Sequence, residues 1–111
     1  MNTITALIIE PGRKPLLATI EDDLETLQSI VGGYLEPLPL ASDAVCYVNE
    51  EGKLLGLEPN RMLMRNNHAI EVIRGTFLIC GRPPGTDRHV SLNDMQAETY
   101  KRRFEHPLRA A

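Results

Sequence analysis

Apolar and polar positions along this 111-residue chain fall into short blocks, and the spacing inside each block predicts its backbone. "TITALII", Thr3–Ile9, is β-branched and aliphatic and is stopped by Glu10-Pro11-Gly12, which predicts a strand and a turn. "PLLATI", Pro15–Ile20, is the predicted hairpin partner; Pro15 lacks an amide hydrogen and so belongs at the strand start or on an edge. In "EDDLETLQSIVGG" the period changes. Leu24, Leu27, Ile30 and Val31 share one helical face. Asp22 with Glu25 three residues on predicts a capping box, and Gly32 predicts a left-handed stop.

"YLEPLPL" reads as an extended edge segment, because Pro37 and Pro39 cannot serve a central ladder. "DAVCYVN" alternates as a strand, "NEEG" has the composition of a tight turn, and "KLLGL" is the expected returning strand. Val48–Leu57 is therefore a predicted hairpin. Pro59 predicts the first position of a short helix through Met64, followed by a turn at Asn66-Asn67-His68. "IEVIRGTFLICG" predicts a strand or two broken at Gly75, and "RPPGTDRH" a loop. "SLNDMQAETYKRRFEHP" predicts a helix capped by Ser91 with Asp94, stopped by Pro107, with Leu92, Met95, Tyr100 and Phe104 as its apolar face. The order predicts one α+β domain: a mainly antiparallel or mixed sheet with two or three helices covering one face, a core of residues 3–105 and a tail of 106–111.

Composition narrows the function. Hydrophobic residues make up 42%, aromatics only 5%, and tryptophan is absent, so the predicted core is aliphatic. A net charge of −3 runs against nucleic-acid binding, and no DNA partner is expected. Lys101, Arg102, Arg103 and Arg109 read as a solvated helix face and tail. Cys46 and Cys80 sit inside apolar runs without metal spacing, which suits buried free thiols in a reducing compartment; neighbouring strands would bring them close. The N-terminal stretch has no basic region and only a short apolar run, predicting neither signal peptide nor membrane span. A cytoplasmic location is expected.

Reactive chemistry is sparse. His68, His89 and His106 lie in predicted loops or past a helix end, without metal-ligand spacing. His89 near Asp87 is a candidate base–orienter pair that lacks a nucleophile. Glu50 and Glu51 diverge on a turn, and Glu58 and Glu71 stand alone. No catalytic residue, metal ligand or cofactor is assigned. A polar cluster remains between apolar runs: Asn49, Glu50, Asn60, Arg61, Arg74 and Thr76. In one reading Arg61 pairs internally with Glu50 or Glu58. In the other, Arg61 and Arg74 offer planar donors to a phosphate or carboxylate that Asn49 and Asn60 orient.

"LETLQSIVGGYLEPLPL", "VNEEGKLLGLEPNR" and "IRGTFLICG" resemble the domain-of-unknown-function family 3846, over Ile4 to Phe104. The resemblance implies a small phage, plasmid or mobile-element protein working in a bacterial host, and no activity. The expected function is a non-enzymatic binding protein, one that sequesters a nucleotide-type small molecule or blocks a host defence protein. Alternatives are an interaction or homodimerisation module docking through "YLEPLPL", and an enzyme acting on a small nucleotide through His89 or a carboxylate.

Overall fold

A computed structural model describes residues 2–108, with the backbone alone at Pro39. Its main sheet has strands β1 (Thr3–Ile9), β2 (Leu16–Glu21), β3 (Leu35–Ala41), β4 (Ala44–Asn49) and β7 (Phe77–Gly81), in the order β2-β1-β7-β4-β3. Every pairing in it is antiparallel. β5 (Pro59–Arg65) and β6 (His68–Arg74) form a separate hairpin, and helices α1 (Leu24–Val31) and α2 (Asp94–Arg103) complete the described elements. The α+β class, the mainly antiparallel sheet and the two helices agree with the sequence.

Strand alternation sorts the core into two layers. Ile4, Ala6, Val45, Leu78 and Cys80 face α1, which adds Leu27 and Val31. Leu7, Ile9, Cys46, Val48, Phe77 and Ile79 face the other way, toward α2 and the hairpin, which add Ala97, Tyr100, Phe104, Leu63 and Ile73. Phe77 and Phe104 meet edge to face at 5.4 Å, a geometry favoured by the ring quadrupoles. The helices thus take opposite faces of the sheet instead of sharing one. The reason is that β1, β4 and β7 are apolar on both faces and need cover on each.

The same alternation separates the thiols. β4 and β7 are neighbours, but Val45 pairs with Cys80 and Cys46 with Ile79, so the two sulfurs point to opposite layers. Both remain free and buried. Desolvation raises both thiols, Cys80 to about 12.

Two predicted elements are corrected. "KLLGL" is no strand: Glu50–Gly56 forms successive turns, with Leu55 N–H bonding the Glu51 carbonyl at 2.8 Å and Leu57 N–H the Gly52 carbonyl at 2.9 Å. β4 already lies between β7 and β3, so it has no free edge for a returning strand. The short helix expected from Pro59 is strand β5. Asn66 and Asn67 both adopt positive φ, 51° and 64°, the turn that matches hairpin twist. That turn fixes Arg65 opposite His68, and the apolar residues of β5 then find their partners in β6.

Both helix caps shift downstream. Asp23, not Asp22, accepts from Thr26 N–H at 2.7 Å. Asn93 with Gln96, not Ser91 with Asp94, closes the capping box of α2. Asp22 and Ser91 are used elsewhere: Ser91 Oγ accepts the Thr5 amide at 2.8 Å. Leu24 and Met95, placed by periodicity on apolar faces, are exposed at the start of their helices. Gly32 does take the left-handed cap, at φ 79°.

β3 is an edge strand, as its prolines require. Glu50 N–H donates to the Tyr34 carbonyl at 2.8 Å. Stepping by two along that ladder, Glu36 and Leu38 turn their amides toward β4, and Pro37 and Pro39 face outward. A missing amide there removes no ladder bond.

Candidate functional site

The six polar residues singled out by sequence divide into an internal set and a surface set. Asn60 is fully buried on β5, and its Nδ2 donates to the carbonyls of Ile9 at 2.9 Å and Gly75 at 2.8 Å. Its Oδ1 accepts from Arg61 Nη1 at 2.7 Å. Arg61, only 2% exposed, spends its guanidinium on backbone. Nε donates to the Phe104 carbonyl at 2.7 Å, Nη1 also to the Asn60 carbonyl, and Nη2 to the Arg13 carbonyl.

This clamp ties the hairpin to the β1–β2 turn and to the C-terminal end of α2, where helix carbonyls carry partial negative charge. The chain beyond α2 folds back onto it, with Leu108 N–H on the Asn60 carbonyl at 3.1 Å. Among the described residues Arg61 forms no ion pair with Glu50 or Glu58, and its burial leaves no open face of the guanidinium for an external anion. Burial lowers the pKa of its guanidinium, and the ring of carbonyls stands in for a counter-charge.

Asn49 is also buried, though it lines the groove between β3–β4 and β6. Its Nδ2 donates to the Val31 carbonyl at 3.1 Å and its Oδ1 accepts Glu51 N–H at 2.8 Å, joining the end of α1 to the following turn. A Cβ at Gly33 would stand 2.9 Å from that Nδ2, so a larger residue there would push the Asn49 amide off the Val31 carbonyl. The Gly32-Gly33 and Asn49 motifs are therefore two halves of one packing contact.

The surface set meets at a groove between β3–β4 and β6. A cavity of about 390 Å³ is lined by Leu38, Val48 and Ile70 among its apolar residues, with Glu36, Glu50, Glu71, Lys53 and Arg74 as its charged ones. Arg74 is partly held by the Leu57 carbonyl at 3.2 Å. No ion pair occupies these five charged groups among the described residues. Asn49, Glu50 and Arg74 thus converge with residues that sequence reasoning did not group: Glu36, Lys53 and Glu71. Thr76, half-buried between β6 and β7, does not line this cavity. The spacing of Glu36 and Leu38 along an edge strand was the available signal; the apposition of β6 was not.

A second constellation involves His89. Its Nδ1 lies 2.6 Å from Asp22 Oδ1 and its Nε2 2.7 Å from the Tyr47 hydroxyl. Asp22, rather than the neighbouring Asp87, orients the imidazole. An ionised Asp22 accepts from Nδ1–H and leaves Nε2 to accept the phenol proton. The two rings meet edge to face at 5.4 Å. Desolvation is the main cause that raises the phenol, and so works against its use as a nucleophile. The cavities at the groove, behind the hairpin and beside the β1–β2 turn are lined by other residues. The relay holds the 82–90 loop against β4 and the start of α1. Among the described residues, no three His, Cys, Asp or Glu side chains group to hold a metal ion, and no helix is long and apolar enough to cross a membrane.

Fold and site define a class: an antiparallel α+β domain whose described interior polar groups are satisfied within the fold, with a charged groove at a sheet edge. The chain belongs to the family described as Domain of unknown function (DUF3846), whose family model matches residues 4–105. No curated protein and no solved structure matches it.

Proposed function

We propose that this is a non-enzymatic binding protein that acts by occupying another protein through the groove between β3–β4 and β6. In the mobile-element setting that the family resemblance implies, it works in the cytoplasm of a bacterial host, and its target is a host protein such as a defence factor. The observation that carries this reading is the groove itself. An apolar floor of Leu38, Val48 and Ile70 is ringed by charged side chains with no ion-pair partner among the described residues, and Ile70 is 47% exposed.

The same lining disfavours the sequestration of a nucleotide signal. Three of the five charged residues are glutamates, and the Asn60–Arg61 pair expected to hold a phosphate is consumed inside the fold. A catalytic reading built on His89 is not adopted, because its hydrogen-bonded partners line none of these cavities. Docking by strand addition to β3 is disfavoured as well, since Pro37 and Pro39 remove the outward amides an added strand would need.

The test uses the buried native thiols, which leave an introduced cysteine as the reactive one. Ile70→Cys carrying a maleimide photo-crosslinker is expected to capture a discrete protein from bacterial host lysate, and Leu24→Cys on α1 is not. Equal capture from both positions, or none, sinks the reading. Tight binding of any member of a cyclic-nucleotide and ADP-ribose panel in titration calorimetry would restore the nucleotide alternative.

A further inference from the structure

The groove is asymmetric along its length, and the asymmetry specifies what fits. At one end stand Glu36, Glu50 and Glu71 with Lys53 and Arg74. Next to this lies a second cavity of about 250 Å³, lined by Leu40, Leu63 and Met64 with Arg65 and Arg103, and no carboxylate. The two cavities share Leu38 and Ile70 as lining residues. Arg103 is set in place there, its Nη2 donating to the Met64 carbonyl at 3.1 Å and its guanidinium lying over the Phe104 ring. Neither Arg65 nor Arg103 has an ion-pair partner among the described residues. The groove therefore runs from a predominantly acidic end, across an aliphatic middle, to a basic end.

Its walls have the spacing of extended chain. Glu36 and Leu38 are alternate residues of β3, about 6.6 Å apart along a strand, and Leu40 follows where the pairing with β4 shifts register between Pro39 and Ala41. An extended segment presents its own alternate side chains at that interval. β6, on the opposite wall, has no strand on its outer side among the described residues.

We infer that the groove takes an extended segment of another protein, aliphatic at its centre over Leu38 and Ile70, with basic residues toward Glu36, Glu50 and Glu71 and acidic residues toward Arg65 and Arg103. The inference rests on the binding reading above and adds the chemistry of the partner. Charge at both ends selects and orients the segment, and the apolar centre supplies the contact area.

Labelled peptides with a common Leu-Ile-Leu centre test it by fluorescence anisotropy with the full chain. One carries glutamates on one flank and lysines on the other, one lysines on both flanks, and one glutamates on both. The mixed peptide is expected to bind about fivefold to tenfold more tightly than either uniform one, with the advantage fading at high salt. Glu36→Lys with Glu71→Lys makes the groove basic along its length and is expected to switch the preference to the all-glutamate peptide. Loss of structure cannot produce such a switch, and a thermal melt verifies the fold. Equal affinities in the parent protein, or no switch in the variant, overturn the inference. If no peptide binds while the Ile70→Cys probe still captures a host protein, this partner chemistry fails and the binding reading survives. If neither occurs, both fail.

Discussion

Arg61 and Arg74 sit on opposite strands of one hairpin and have opposite fates. Arg61 lies under the fold with its donors on the carbonyls of Phe104, Asn60 and Arg13. Arg74 reaches the rim of the groove with one bond, to Leu57. A guanidinium surrounded by carbonyls is a fastener, because each donor replaces a water that burial removed. A guanidinium with spare donors beside unpaired carboxylates belongs to a surface that can engage something else. The contrast extends to the asparagines and glutamates: Asn49 and Asn60 join elements, and Glu36, Glu50 and Glu71 join nothing within the described chain.

The largest effect should come from breaking the fastener. Arg61→Ala leaves the Phe104 carbonyl and the buried Asn60 Oδ1 unpaired and unties the β1–β2 turn at Arg13, and is expected to cost about 3–5 kcal/mol in urea unfolding. A cost under about 1 kcal/mol would mean that water replaces the guanidinium and that the clamp is dispensable. Asn60→Ala removes three bonds and should cost about 1–3 kcal/mol, without weakening groove binding in the folded protein. If binding falls as steeply as stability, the division between internal and surface sets is incorrect.

Alkaline pH probes the interior by titration. Burial raises Cys46 and Cys80 from an ordinary 9.0, and raises the phenols of Tyr47 and Tyr100. A raised folded pKa means that the native state holds its proton more tightly than the unfolded chain. Stability is then fully present below the unfolded value and is lost as pH climbs toward the folded one. Melting temperature is expected to hold to near pH 9.0 and fall above it, with a shallower fall in Cys46→Ala/Cys80→Ala. On the acid side the sign reverses at Asp23, whose carboxylate is held below 3.8 chiefly by the Thr26 backbone amide. Its contribution is present above that ordinary value and lost as pH falls. The smallest stability change belongs to the groove: Glu71→Ala should shift unfolding by no more than about 0.5 kcal/mol yet reduce capture by the Ile70→Cys probe. An unfolding cost as large as that of Asn60→Ala would return Glu71 to the structural set.

Much of the fold could be read from pattern because the relevant forces are local. The β-branched run at Thr3–Ile9, the period of Leu27 and Val31, the stop at Gly32 and the edge character of Pro37 and Pro39 all survive in the structure. "KLLGL" misled because its composition suits a strand, while a strand also needs a free edge, and β3 and β7 take both edges of β4. Pro59 misled because it suits a first helical turn and a strand start equally, and the Asn66–Asn67 turn decided between them. The candidate site was half visible. Asn49, Glu50 and Arg74 were named, but Glu36, Lys53 and Glu71 were not, since nothing local says that β6 will face β3.

By itself the sequence determined which segments extend, which coil, where each stops, and that the core is aliphatic. Tertiary structure alone decided which polar side chains are spent on the interior and which remain free. That choice depends on whether a carbonyl from a distant element arrives within hydrogen-bonding reach. For Arg61 the Phe104 carbonyl comes from 43 residues away, and no period or motif encodes such a distance.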